Sequence, residues 1–161
     1  MKQYERRYVE ERVTSALDVL VKNDFFLLQA DVNERAVSHK LAEYLQGCFP
    51  GWHVDCEYNR DHDRKKELTY PLPSEPIDSL KARTVFPDII IHRRNTKHNL
   101  LIIEMKKDGN SDGNEAEKDK NKLRAFLKRP YCYQYGLFIT FGNDGGSRLQ
   151  WFKRDRDCNA T

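Results

Sequence analysis

The chain is poor in the features that would assign it to several large classes. It has four cysteines, Cys48, Cys56, Cys132 and Cys158, with no C-x-x-C pair and no histidine at zinc spacing. That pattern excludes a sequence-defined zinc site and a dense disulfide framework. The four are expected to be reduced core or surface thiols of a cytoplasmic protein. Long apolar runs are missing as well. The opening "MKQYERRYVEERV" offers no signal-peptide core, and no stretch approaches the roughly 20 apolar residues of a spanning helix. No Gly-rich phosphate loop and no nucleophile elbow occurs, so nucleotide-loop and serine-hydrolase chemistry have no carrier. Neither an internal repeat nor a low-complexity tract is found.

What is present is ordinary for a globular chain. With 161 residues, 39% hydrophobic and 33% charged, one domain with a real core is expected over residues 1–161, and a second would be cramped. The net charge of +3 permits contact with a polyanion without demanding it.

Apolar spacing at Val9, Val13, Ala16, Leu17, Leu20 and Val21 predicts a first helix, followed by a short apolar segment "FFLL". Val37, Leu41, Tyr44, Leu45 and Cys48 predict the buried face of a second helix that stops before "PG". "WHVDCEYNR" reads as a strand. Residues 61–84 are charged, hold three prolines and read as a long excursion. Two strongly apolar strands follow around "DIII" and "LLIIEMKK". A polar helix over "GNEAEKDKNKLRAFLK" has a narrow stripe at Ala116, Leu123, Phe126 and Leu127. "YGLFITF" and "RLQWFK" are then strands joined at "GNDGG". The order predicts one mixed α/β sheet flanked by helices.

The two apolar strands carry the chemistry. Asp88 precedes Ile89, Ile90 and Ile91, and Glu104 follows Leu100, Leu101, Ile102 and Ile103. Carboxylates are rare beside such runs unless their charge is compensated. A hairpin turning on "RNTKH" and centred on Thr96 sets Asp88 opposite Glu104, where like charges repel. Lys106, two residues beyond Glu104, shares its face by strand alternation. A hard divalent cation turns carboxylate repulsion into ligation. Glu34 lies three, seven and eleven residues before Val37, Leu41 and Leu45, in phase with the buried face of its helix; with Asp31 it also resembles a capping box.

Other candidates carry less. His92 and His98 flank the hairpin tip with Arg93, Arg94 and Lys97, a solvated turn that can touch phosphates. Glu57 reads as an exposed strand position, and Tyr131, Tyr133 and Tyr135 as packing residues rather than stacking platforms.

"PD" at 87–88, fifteen intervening residues and "EMK" at 104–106 resemble the signature of the PD-(D/E)xK nuclease superfamily, which includes many restriction endonucleases. The resemblance covers roughly residues 31–141 and includes the element order. It implies a restriction-endonuclease-like αβββαβ core, here with an extra N-terminal helix and a C-terminal strand. By the same resemblance, Asp88 and Glu104 ligate Mg²⁺ or Mn²⁺ with the Met105 backbone carbonyl. Glu34 contributes through a water or a second metal, and Lys106 assists the attacking water and the transition state. The expected activity is metal-dependent hydrolysis of phosphodiesters, most readily of DNA, in a setting such as defence or repair. Two alternatives stand beside it: a nuclease-like fold used without catalysis to bind nucleic acid or to assemble, and an interaction partner within a larger complex. A homodimer is compatible with either, and no membrane partner is expected.

Overall fold

The described residues of the computed structural model are 4–29, 33–58, 60–61, 64–65, 67–69, 82–109 and 113–159. A five-stranded mixed sheet, flanked by helices, organises them. Its order is β1 (His53–Cys56), β6 (Ile89–His92), β7 (Asn99–Lys107), β8 (Tyr135–Phe141) and β9 (Ser147–Lys153). β1, β6 and β7 run antiparallel, β7 and β8 pair in parallel, and β9 returns antiparallel. The parallel step requires a crossover, and α3 (Gly113–Phe126) supplies it.

Alternation splits the strands between two cores. Ile89, Ile91, Leu101, Ile103 and Met105 face α1 (Arg6–Gln29) and α2 (Glu34–Cys48), whose Val9, Val13, Leu20, Val37, Leu41 and Leu45 are buried against them. Ile90, Ile102 and Phe138 face the other way and pack with Leu123, Phe126 and Leu127 at the C-terminal end of α3. Both faces of β6 and β7 are therefore covered. This is why these strands read as continuous apolar runs rather than as alternating ones. Burying each such side chain stabilises the fold by about 1.5–3 kcal/mol.

Several expectations change. The "FFLL" segment is not separate: α1 continues through it to Gln29, with a break in helical geometry at Asp24. The Tyr44 hydroxyl donates to the Asp24 carboxylate, joining α2 to that break. α2 is capped by Asn33, whose side chain accepts from the Arg35 N–H at 3.0 Å; Asp31 lies outside the described residues. The excursion at 61–84 falls largely outside them too. Its described parts form two small ladders, β2 (Arg60–Asp61) with β3 (Arg64–Lys65), and β4 (Glu67–Thr69) with β5 (Ala82–Thr84). The Tyr131 hydroxyl ties β4 to the body by bonding both the N–H and the carbonyl of Glu67, at 3.0 and 3.1 Å. Tyr131, Tyr133 and Tyr135 are all buried, although only Tyr135 belongs to a strand.

The cysteine expectation fails for two of the four. Cys132 and Cys158 form a disulfide, while Cys48 and Cys56 are free. The β8–β9 hairpin brings the chain back to the end of α3, where Arg154 donates to the Gln134 carbonyl and Asp155 to the Leu127 carbonyl. That return places the two sulfurs together in a way that spacing along the chain does not reveal. No described helix is long and apolar enough to cross a membrane.

Phe126 anchors α3 to the sheet and is fully buried. Phe126→Ala is expected to cost about 3–5 kcal/mol, read by urea denaturation. A loss under about 1 kcal/mol would show that α3 does not depend on this contact.

Candidate functional site

The observed β6–β7 register sets Ile89 opposite Ile103, Ile90 opposite Ile102 and Ile91 opposite Leu101, with a shift only at His92. One more step places Asp88 opposite Glu104, as the hairpin expectation required. Both carboxylates, and Lys106, share the alternation of Ile90 and Ile102 and so lie on the α3 face.

Local backbone contacts hold Asp88 there. Its carbonyl accepts from the Glu57 N–H at 3.3 Å, extending the β1 pairing by one residue. Glu57 adopts a positive φ of 48°, and its side chain turns away to Arg35 at 2.9 Å. Glu57 is thus a backbone support and not a member of the site. Asp88 Oδ2 accepts from the Met105 N–H at 2.8 Å. In an extended strand the N–H and C=O of one residue leave on the same side. The Met105 carbonyl therefore points toward Asp88 and away from β8.

Glu104 is 1% exposed. Its Oε2 meets Lys122 Nζ at 2.6 Å, while its Oε1 is buried with no hydrogen-bond partner among the described residues. Burial pushes the Glu104 carboxyl well above its usual range, and the nearby Asp88 charge adds to this against the opposing Lys122 ammonium. Burial likewise pushes Asp88 up to about 6, against the Met105 N–H and Lys122. Lys122 is raised as well: desolvation works against its charge, but Glu104 and Asp119 outweigh it.

Lys106 and Glu34 form the adjoining part. Lys106 Nζ lies 3.5 Å from Glu34 Oε2, 3.5 Å from Asp119 Oδ2 and 3.9 Å from Glu115 Oε2. Burial lowers the Lys106 pKa, but Asp119, Glu34 and Glu115 more than offset it, so the ammonium is held charged. Glu34, first residue of α2, also accepts from the Lys107 N–H at 3.2 Å. Its carboxylate thus joins α2 to the end of β7 through Lys106 and Lys107. The expected grouping of Asp88, Glu104, Lys106 and Glu34 takes the form of two linked clusters, with Asp119 ion-paired to both Lys106 and Lys122.

Two residues of this site, Asp119 and Lys122, were not picked out from the sequence. The signal was in the α3 stripe: Asp119 stands three residues after Ala116 and four before Leu123, and Lys122 four before Phe126. Ionisable groups in phase with an apolar stripe point inward. A further polar group forms at the other end of the sheet. His92 is buried and its Nε2 lies 2.8 Å from Asp55 Oδ2, with Arg94 also pairing to Asp55. The hairpin tip is therefore partly an internal polar network rather than wholly a solvated turn.

Among the described residues no group of three or more His, Cys, Asp or Glu is disposed to hold a metal ion. Two carboxylates, a carbonyl aimed at them and one buried, unbonded Glu104 oxygen nevertheless fit a magnesium-like ion. Such ions use one or two carboxylates and complete their shell with water and phosphate. Lys122 already supplies the positive charge that the acid pair requires. Neither a protein-family model nor a curated protein nor a solved structure matches this chain.

A raised carboxyl pKa favours the protonated folded state, so the Asp88 contribution to stability is lost as pH rises from about 4 to about 6. The loss is at most about 3 kcal/mol, from a shift of roughly two units. In metal-chelating buffer, Asp88→Asn is expected to flatten this part of the pH–stability curve, and its gain over the original protein should grow between pH 4.5 and 7. Urea titrations at several pH values measure it. An Asn variant that falls progressively below the original protein over that interval would contradict the assigned burial of Asp88.

Proposed function

We propose that the chain is a metal-dependent phosphodiesterase of the PD-(D/E)xK type, with DNA as its substrate. The observation that carries this reading is the pairing of buried Glu104 with half-buried Asp88 across β6 and β7, with Lys106 next on the same face. An acid pair buried beside apolar strands is costly to a fold, so a role that needs two anionic oxygens gives a reason for it. The sheet order and the sequence order α2, β1, β6, β7, α3, β8 agree with the restriction-endonuclease-like αβββαβ core implied by the motif.

In this reading Asp88, Glu104 and the Met105 carbonyl hold Mg²⁺ or Mn²⁺. The ion supplies a water of lowered pKa and charge neutralisation at the phosphate. Lys106, kept protonated by its acidic neighbours, acts electrostatically on the phosphate rather than as a free base. Glu34 fixes Lys106 and the end of β7 and is a positioning residue. Lys122 neutralises Glu104 in the metal-free protein through Oε2, and its charge opposes that of a cation bound beside it. A second reading, a nucleic-acid-binding module without catalysis, draws on that pair, because Lys122 satisfies half of Glu104 without any metal.

Mn²⁺ separates the two. The original protein is expected to melt at higher temperature as Mn²⁺ increases, since a ligand bound only by the folded state stabilises it. Asp88→Asn is expected to lose most of that gain and to lower plasmid nicking by about 100-fold or more. Lys122→Gln, which removes the competing ammonium, should tighten Mn²⁺ binding. If the Asn variant responds to Mn²⁺ as the original does, Asp88 is structural and the catalytic reading falls.

A further inference from the structure

Beside Lys106, away from Asp88, the α3 face of the sheet opens into a cleft of about 350 Å³. Its floor follows from strand register. Lys106 pairs with Thr140 and Thr140 with Arg148, so these three form one row across β7, β8 and β9. Glu104, Phe138 and Gln150 form the row beneath. Strands lie about 4.8 Å apart, so the backbone at Lys106 and at Arg148 is separated by roughly 10 Å. α3 supplies the side wall through Ala116 and Lys120, whose ammonium stands 5.3 Å from the centre of the Phe138 ring.

The cleft is cationic. Lys106, Lys120 and Arg148 line it against one carboxylate of the lining, Asp108. Glu115 and Asp119 stand at the Lys106 end and are engaged with that lysine. Asp108 pairs with Arg148 at 3.1 and 3.2 Å, but the two side chains are 50% and 72% exposed. An exposed pair of this kind contributes little, and a guanidinium binds phosphate in the same forked geometry. Thr140 and Gln150 add neutral hydrogen-bonding groups and Ala116 a small apolar wall, while Phe138 lies beneath, buried, with the Lys120 ammonium over its ring.

We propose that this cleft is a subsite for a single unpaired nucleotide next to the scissile phosphate, so that the substrate strand enters single-stranded, as a free end or a flap. It rests on the nuclease reading for its position in the reaction, not for its binding chemistry. The neighbouring phosphate is held by Lys120 and Arg148, and the sugar and base lie between Ala116 and the Thr140 and Gln150 side chains. The volume sits at the lower end of that of ligand sites, roughly 300–1,000 Å³. A concavity of about 350 Å³ takes one nucleotide, and only an unpaired one, because a base must leave its stack to enter a pocket of that size.

The test is fluorescence anisotropy in EDTA, with an eight-residue oligothymidylate and a blunt hairpin duplex as probes, alongside Mn²⁺ thermal melts. The original protein is expected to bind the single strand about tenfold more tightly than the duplex. The double variant Lys120→Ala/Arg148→Ala should lose that preference, with a salt dependence shallower by about 0.7 per phosphate contact removed. Its Mn²⁺ response should persist; the Lys120→Gln/Arg148→Gln pair replaces it if the alanine pair does not fold. Equal binding of both probes by the original protein, or an unchanged single-strand affinity in the variant, overturns the subsite. Strand preference without Mn²⁺ uptake upholds the subsite and removes the nuclease reading. Mn²⁺ uptake without strand preference removes the subsite alone.

Discussion

The burial of Glu104 against Lys122 is the constraint around which the rest is arranged. A carboxylate taken out of water between apolar strands is tolerated only with a close cation or a proton. Here the cation comes from α3, so the crossover helix must lie over the end of β7 at one fixed height. Leu123 and Phe126 set that height by packing under Ile90 and Ile102. Asp88 then adds a second negative charge across the hairpin, which raises Glu104 further and is itself raised by burial. Such mutual repulsion, held in place by well-packed strands, marks a site where an external cation has something to gain.

The linkage between the two clusters follows from the same geometry. Asp119 stands between Lys122 and Lys106, and Glu34 reaches Lys106 from the opposite helix layer. The end of β7 is thus gripped from both sides, by α2 through Glu34 and by α3 through Asp119. Neither contact is individually large at partly exposed positions. Together they keep a flexible lysine in one orientation, which an electrostatic role at a phosphate requires.

The strands, their facing and the acid pair were legible from residue pattern because each obeys a period. The isoleucine runs gave the buried strands, alternation gave Lys106 its face, and a short polar turn gave the β6–β7 register. Helical phase likewise gave Glu34 an inward direction. What escaped depends on tertiary return. The Cys132–Cys158 bond exists only because β9 brings residue 158 back to the end of α3. The extension of α1 through "FFLL" was hidden because Asp24 breaks the helical geometry while Tyr44 of α2 restrains it. Lys122 was obscured by a stretch so rich in charge that its apolar phase looked weak.

α3 shows how one helix can serve fold and chemistry along its length. Its last turn buries Leu123 and Phe126 and carries the crossover. One turn earlier, Asp119 and Lys122 face the buried acids, at the boundary where the apolar stripe gives way to charge. On the side facing the cleft, Ala116 and, one turn on, Lys120 border open space above Thr140. The inward positions of the helix therefore pass from buried at Phe126 and Leu123 to half-buried at Asp119 and Ala116. Glu104 sits where water is nearly excluded, Asp88 is half-buried beside it, and Lys106 sits at the rim, between that dry pocket and a cleft that solvent can enter. The proposed hydrolysis of a strand by water would use such a gradient: a dry side to strengthen each charge and a wet side through which the strand arrives.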